Sequence, residues 1–424
     1  MTGPGSMLVS SGVQCAIADG VENFAEAVRD SRTAFSTRAP SEGLPGGYGG
    51  WIRHDLAERT RALRDVSPGL LQASAAVRRR GSRTTCLAVM AAVEAWTNAA
   101  LPDVLDHEDS TRTGLIIAGT NLDLARAHAE GRRLRAGRPA RPSYAAQMWD
   151  SNLAGVVSDV LTLRGECAVV GGSSASGNVA LIQAMRWIRW GVVDRCLVVA
   201  PSTVLDEAER SAFTGMGVVG EPIPDDVHGS HPFDVRHRGF VLAEGAAAVV
   251  LEHPQVAAAR GLHPTVALTG GATRMHATSS TDPDADTEAA TMVAALGDAG
   301  QTPADVDLIS AHATSTPAGD LAEAEAITAV FGATIPPVIA TKALTGHTLG
   351  AAAVIELLAA AIALDDGVAH GTPGFTQPHD PQLPVVPPTG TRGTFRVALS
   401  NSYGFGGINS SVVIARNDEK ATRS

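Results

Sequence analysis

The sequence predicts an α/β fold assembled from two similar halves. Strand-like apolar runs alternate with segments of helical period through most of the 424 residues. Each half closes on a strand, a glycine-containing turn and a second strand, over 239–252 in the first and 396–414 in the second. The stretch joining them, 253–263, is short and contains alanine and glycine. The halves, 1–255 and 256–424, are therefore expected to pack into one body.

The elements follow in order. Residues 1–6 read as a leader. Cys167-Ala168-Val169-Val170 reads as a strand, and Val179, Ala180, Ile182, Met185, Trp187 and Ile188 mark a helix. Between them lies Gly171-Gly172-Ser173-Ser174-Ala175-Ser176-Gly177. Small residues there permit close backbone approach, and the turn presents a hydroxyl at a helix N-terminus, where N–H groups and the macrodipole favour negative charge. The second half opens with a strand at Val266-Ala267-Leu268. A helix over 284–300 follows Pro283, with Ala285, Ala289, Met292, Val293 and Leu296 at helical spacing and Gly300 as its stop. A second is expected over 321–331 with Asp320 as N-cap. A third, over 351–364, ends at Asp365-Asp366-Gly367. Residues 373–388 are proline-rich and read as a surface loop.

Composition narrows the function classes. The chain is 44% hydrophobic and 18% charged, ordinary for a globular protein with a large core. No apolar run reaches the roughly 18 residues that a membrane span needs; the longest, 350–364, is broken by Glu356. The start carries no secretory pattern. Cys15, Cys86, Cys167 and Cys196 show neither metal spacing nor a pairing framework, so no metal site is expected and a reduced, cytoplasmic setting is. A net charge of −11 disfavours nucleic acid. Arg132, Arg133, Arg135, Arg138 and Arg141 cluster, most simply as a solvated face.

Two of the 33 basic residues are lysines, Lys342 and Lys420. Lys420 lies in a polar tail. An internal lysine in an arginine-using chain is a chemical choice, because it is a compact, deprotonatable charge. Around Lys342 runs Thr341-Lys342-Ala343-Leu344-Thr345-Gly346-His347. Upstream, the apolar run Val306-Asp307-Leu308-Ile309 delivers His312 into a hydroxyl-rich loop with Thr314 and Thr316. Downstream lies the turn Gly404-Phe405-Gly406-Gly407. The lipase-type G-x-S-x-G pattern is absent, since Ser176 stands two residues after Ser174.

Together these segments resemble the β-ketoacyl-acyl carrier protein synthases. Pro232-Phe233-Asp234, Gly239-Phe240-Val241 and Glu244-Gly245 carry the resemblance in the first half. The His312 loop, Lys342 with Gly346-His347, and Asn401-Ser402 with Gly404-Phe405-Gly406-Gly407 carry it in the second. The resemblance implies a thiolase-like fold of two duplicated halves in five layers, α-β-α-β-α. It implies that His312 and His347 polarise a thioester carbonyl and that Lys342 orients them, with Glu356 or Glu244 as counter-charge. It implies that Thr314 and Thr316 bind a phosphopantetheine arm, and that Ser174 and Phe405 offer backbone N–H groups to an oxyanion. Phe405 would gate the acyl pocket, with Gly406 beside it. The partners implied are an acyl carrier protein and a second copy of the chain in a homodimer, or a second ketosynthase in a heterodimer. No cofactor of its own is expected beyond the carrier's phosphopantetheine.

The departures bear on chemistry. The family's nucleophile is a cysteine, and its position holds Ser174. His237-Arg238 replaces an Arg-Asp pair. Ala313 stands for a glycine and Ile408 for a frequent histidine, and Ala243, Ala247 and Ala353 also replace glycines. A serine needs a positioned general base to approach the nucleophilicity of a thiolate. Its oxygen ester is a weaker electrophile than a thioester, which impairs carbon–carbon bond formation. Decarboxylation needs no nucleophile, only donors aimed at the developing enolate. The expected reaction is malonyl-acyl carrier protein to acetyl-acyl carrier protein, as in serine-bearing decarboxylases that serve polyketide β-branching. The residues leave open a condensing enzyme, natural or with its cysteine deliberately changed, an acyltransferase acting through Ser174, and a non-catalytic partner like a chain-length factor.

Overall fold

The computed structural model describes residues 5–40, 46–53, 67–75, 77, 81–223, 226 and 228–417. Most of the expected leader, residues 1–4, and the tail with Lys420 lie outside the described residues, whereas Ser6 already opens the first strand. The main strands are Ser6–Cys15 (β1), Thr113–Ala118 (β2), Cys167–Val170 (β3), Arg195–Pro201 (β4), Gly245–Glu252 (β5), Val266–Met275 (β6), Leu308–Ser310 (β7), Val338–Ile339 (β8), Val397–Gly404 (β9) and Ile408–Arg416 (β10). The main helices are Arg83–Asn98 (α1), Ser151–Leu161 (α2), Ser176–Arg189 (α3), Glu207–Gly215 (α4), Ala285–Ala299 (α5), Pro317–Phe331 (α6) and Ala352–Asp366 (α7).

The strand order, β8-β7-β9-β10-β6-β1-β5-β4-β2-β3, is one unit written twice. In the first half β2 runs parallel to β3 and β4, and β5 is antiparallel to β4 and β1. In the second, β7 runs parallel to β8 and β9, and β10 is antiparallel to β9 and β6. The two half-sheets touch through a short antiparallel pairing of Ser6 with Leu268 and Met7 with Ala267. Strands β4 and β5 are buried at every residue because helices cover both faces, which explains their uninterrupted apolar sequence.

Three hydrophobic clusters fill the spaces between layers. One joins α1 and α2 to the outer face of the first half-sheet. Another joins α5 and α6 to the outer face of the second. The largest lies between the half-sheets and is built on α3 and α7. The layers are α-β-α-β-α. Gly177 makes the central pair possible: a Cβ there would lie 3.0 Å from Ala353 Cβ and 3.1 Å from the Val354 nitrogen.

Four local expectations change. Residues 239–252 are not a strand pair. Only β5 is a ladder strand, and the segment before it makes single bridges through Phe240, Leu242 and Ala243 to Val219, His347 and Gly50. The boundary at 255/256 falls inside a short helix, Pro254–Ala259. Helix α6 begins at Pro317, capped by the Thr316 hydroxyl, with proline favoured in the first turn because its missing N–H has no partner to lose. Asp320 is inside that helix, where its carboxylate accepts from the Phe233 and Ser315 N–H groups. Val293 on α5 is 55% exposed, off the core-facing stripe. The stop of α5 at Gly300 and the end of α7 at Gly367 stand as expected, and Asp284, expected as the first residue of α5, is its N-cap. Of the arginine cluster, Arg132 pairs with Asp206, while Arg133 and Arg141 pair with Glu130.

Candidate active site

The two halves supply the same device twice. After β3 and after β8 the chain reaches a residue in the left-handed region, Ser173 (φ 51°) and Leu349 (φ 53°), then a short turn, then a central helix. The N-termini of α3 and α7 therefore converge, and the site lies at their meeting point. Both macrodipoles direct positive ends toward it. Ser176 holds the first turn: its hydroxyl donates to Ser173 O at 2.6 Å and accepts from the Gly172 N–H at 2.9 Å. The sequence placed Ser176 as a mere flank of Ser174. Its burial and bonds make it the brace of the elbow.

Ser174, half-buried in that turn, lies with its Oγ 2.9 Å from His347 Nε2. The other ring nitrogen, Nδ1, accepts the Leu349 backbone N–H at 3.3 Å. An accepting Nδ1 fixes the proton on Nε2. His347 thus donates to Ser174 Oγ and does not take a proton from it. His312 stands beside it, ring centroids 5.7 Å apart and nearly perpendicular.

Lys342 sets the second imidazole. It is 1% exposed, and its three N–H donors find three acceptors: Glu356 Oε1, the His312 carbonyl, and His312 Nδ1 at 3.1 Å. His312 therefore also carries its proton on Nε2. Burial, then the Lys342 charge, then His347 hold the His312 pKa well below the usual imidazole value. Burial and Lys342 do the same to His347. Both rings are neutral donors. The counter-charge is Glu356, whose pKa burial raises while Lys342 opposes the rise. Glu244 is engaged elsewhere, by Arg38 and Arg83.

Two acids of the second half were missed from sequence. Glu323 on α6 accepts the His312 N–H at 2.8 Å and the Ala313 N–H at 2.7 Å, and burial pushes its pKa up to about 7. It fixes a loop wound through left-handed residues at Ala313 (φ 44°) and Ser315 (φ 64°). Glu288 on α5 is 1% exposed and has its pKa raised well above the usual value, by burial first and then by Glu323 and Asp284. Each was one acid among others in a helical stretch, Glu288 with Asp286 and Asp298, Glu323 with Asp320 and Glu325. The available signal was an acid at an inward helical position, which spacing from Met292 reveals for Glu288.

A cavity of about 570 Å³ joins these groups, within the range of small-molecule sites. Ser174, His312, His347, Thr314, Thr316 and Phe405 line it. The Thr314 and Thr316 hydroxyls are 2.9 Å apart. Phe405, 38% exposed at the tip between β9 and β10, stacks at a tilt on Phe213 of α4, centroids 6.2 Å apart. Gly406 is not among the lining residues. It supplies the left-handed turn (φ 85°) that presents Phe405, and Gly407 lines the wall instead. Lys342 stands behind His312. Among the described residues no group of three or more His, Cys, Asp or Glu is placed to hold a metal ion, and no helix is long and apolar enough to cross a membrane.

The beta-ketoacyl synthase N-terminal domain matches residues 7–257, and its C-terminal domain matches residues 266–376. The chain belongs to the β-ketoacyl synthase family. It is 30% identical over 421 residues to the polyketide biosynthesis malonyl-ACP decarboxylase PksF of Bacillus subtilis (strain 168), covering 98% of this chain and 97% of that one. Among solved structures it is similar to the ishigamide ketosynthase/chain length factor, with a TM-score of 0.84 and 26% identity over 98% of this chain and 100% of that one. A type II PKS acyl-carrier protein in complex with its ketosynthase bound to a hexaketide matches with a TM-score of 0.81 and 25% identity, over 97% and 99% of the two chains. The fold is thiolase-like.

Proposed function

We propose that this ketosynthase-family protein decarboxylates malonyl-acyl carrier protein to acetyl-acyl carrier protein. The observation that carries the reading is the hydrogen bond each Nδ1 receives, which assigns the ring protons to Nε2. Each Nδ1 is an acceptor, of the Leu349 N–H in His347 and of the Lys342 ammonium in His312. The Nε2–H of His312, and that of His347 once it turns from Ser174 Oγ to the substrate, can donate to one substrate oxygen. Loss of CO₂ from a malonyl thioester moves negative charge onto the thioester oxygen. Two fixed neutral donors in a buried site, with two helix N-termini behind them, meet that charge.

The same tautomers argue against nucleophilic use of Ser174. A seryl nucleophile needs a neighbouring base, and the group beside Oγ is a donor. Acyltransfer and condensation through Ser174 are therefore disfavoured. The intact Lys342–Glu356–His312 assembly argues against a non-catalytic subunit, for which a buried ion pair would be a costly ornament. The name of the Bacillus subtilis relative agrees with the reading.

The phosphopantetheine arm comes with the substrate, and Thr314 and Thr316, which line the cavity, would hydrogen-bond its amides. The carrier protein is the proposed partner, as in the solved carrier–ketosynthase complex. A homodimer is proposed through β3, the end strand of the sheet, whose partner among the described residues is β2. Four free cysteines agree with a reduced, cytoplasmic setting. The test is intact-protein mass spectrometry of malonyl-loaded carrier protein incubated with the enzyme. Conversion to the acetyl form is expected, and persistence of malonyl-carrier protein would defeat the proposal.

A further inference from the structure

Decarboxylation leaves a debt that condensation does not: the enolate carbon must take a proton. His312 and His347 stabilise the oxygen of that enolate and have no proton to spare without becoming anionic. The Ser174 hydroxyl would have to leave as an alkoxide. Glu323 has both carboxyl oxygens occupied by the N–H groups of His312 and Ala313. Of the other acids of the cavity wall, Glu209 bonds His128, Asp282 accepts from the Ser280 hydroxyl and Asp284 from the Thr287 N–H, which leaves Glu288. Glu288, buried in the first turn of α5, lines the same cavity as Ser174, His312 and His347. Its Oε2 is buried without a hydrogen-bond partner. The Tyr403 hydroxyl is also buried and unpartnered, and the Tyr403 ring stands edge-on to His312 at 5.5 Å. Unpaired buried polar atoms are costly, so two of them beside the cavity mark a place where something else completes the bonding.

We propose that Glu288 is the acid that gives the product its new C–H bond. The inference rests on the decarboxylase reading. In the step, the bond from the malonyl α-carbon to its carboxylate breaks and CO₂ departs. The electron pair passes into the thioester enolate. As the carbonyl re-forms, the α-carbon takes the proton of the Glu288 carboxyl directly. The O–H electron pair stays on Glu288, and the resulting carboxylate recovers a proton from solvent. Net uptake is one proton per CO₂ released. Burial and the neighbouring Glu323 carboxylate keep Glu288 protonated between turnovers.

The experiment runs malonyl-loaded carrier protein with wild type, Glu288→Gln and Glu288→Asp in equal parts H₂O and D₂O, reading both rate and the H:D ratio in the acetyl methyl group. E288Q is expected to form acetyl-carrier protein about 10²-fold more slowly, with an altered H:D ratio because the final donor has become water. E288D keeps the acid and is expected to retain the wild-type ratio. A purely structural role would slow the reaction without moving the ratio. E288Q with the wild-type ratio, at any rate, overturns the proposal, as does E288D with an altered one. If wild type itself makes no acetyl product, the decarboxylase reading falls and takes this inference with it.

Discussion

Replacing Ser174 by cysteine turns the proton placement in the site into a measurable pKa. The side chain at this position receives the His347 Nε2–H at 2.9 Å and sits before the N-terminus of α3. A hydrogen bond to a charged acceptor contributes about 1.5–3 kcal/mol, or about 1–2 pKa units at about 1.36 kcal/mol per unit. The helix terminus adds about 0.3–1 kcal/mol, less than one unit. From a reference near about 8.5, the S174C thiol is expected to titrate at about 6–7. The assay is the pH dependence of alkylation by iodoacetamide. Wild type serves as the blank for Cys15, Cys86, Cys167 and Cys196, whose pKa values are all raised chiefly by burial. An S174C midpoint at or above about 8.5 would refute the reasoning, because it would mean that His347 does not donate.

Replacing either imidazole removes one oxyanion donor, so His312→Ala and His347→Ala are each expected to slow acetyl formation by about 10²–10³, measured on malonyl-loaded carrier protein. Ala313 occupies a left-handed conformation at φ 44°; Ala313→Gly relieves that strain, and urea unfolding is expected to show a gain of up to about 1 kcal/mol. Because burial and Lys342 depress both histidines, acetyl formation should not fall by half around the ordinary imidazole value near about 6.5 as pH is lowered. Stability behaves differently: below that value the unfolded chain binds more protons than the folded one, so the share contributed by His312, His347 and His370 (its pKa lowered to about 4 by burial) declines as pH falls, as denaturant midpoints at a series of pH values will show.

The parts of the site that lie in local sequence patterns were legible. Ser174 stood out because strand, turn and helix are adjacent in sequence. Lys342 stood out because the chain otherwise uses arginine. His312 and His347 were each marked by the small or hydroxylated residues around them. The groups that complete the site come from distant helices and carry no local mark. Glu323 reaches back to the His312 loop from within α6, and its stretch of sequence looks like any alanine-rich helix. Asp320 imitated a helix cap because it does bind backbone N–H groups, only those of Ser315 and the distant Phe233. The segment 239–243 looked like a strand because it is extended and apolar. Its neighbours are site loops, among them the His347 segment, so it makes isolated bridges instead of a ladder. The duplication was visible as two similar endings, but the meeting of α3 and α7 depends on the Gly177–Ala353 approach, which is a property of both halves together.

The most direct measurement offers the protein acyl-loaded and malonyl-loaded carrier proteins together and weighs the products by intact mass. Donating imidazoles around an unactivated serine predict acetyl-carrier protein as the product, with the acyl-carrier protein returned unchanged. Ketoacyl-carrier protein as the main product would show that Ser174 accepts the acyl chain and that the proton placement assigned to His347 is wrong.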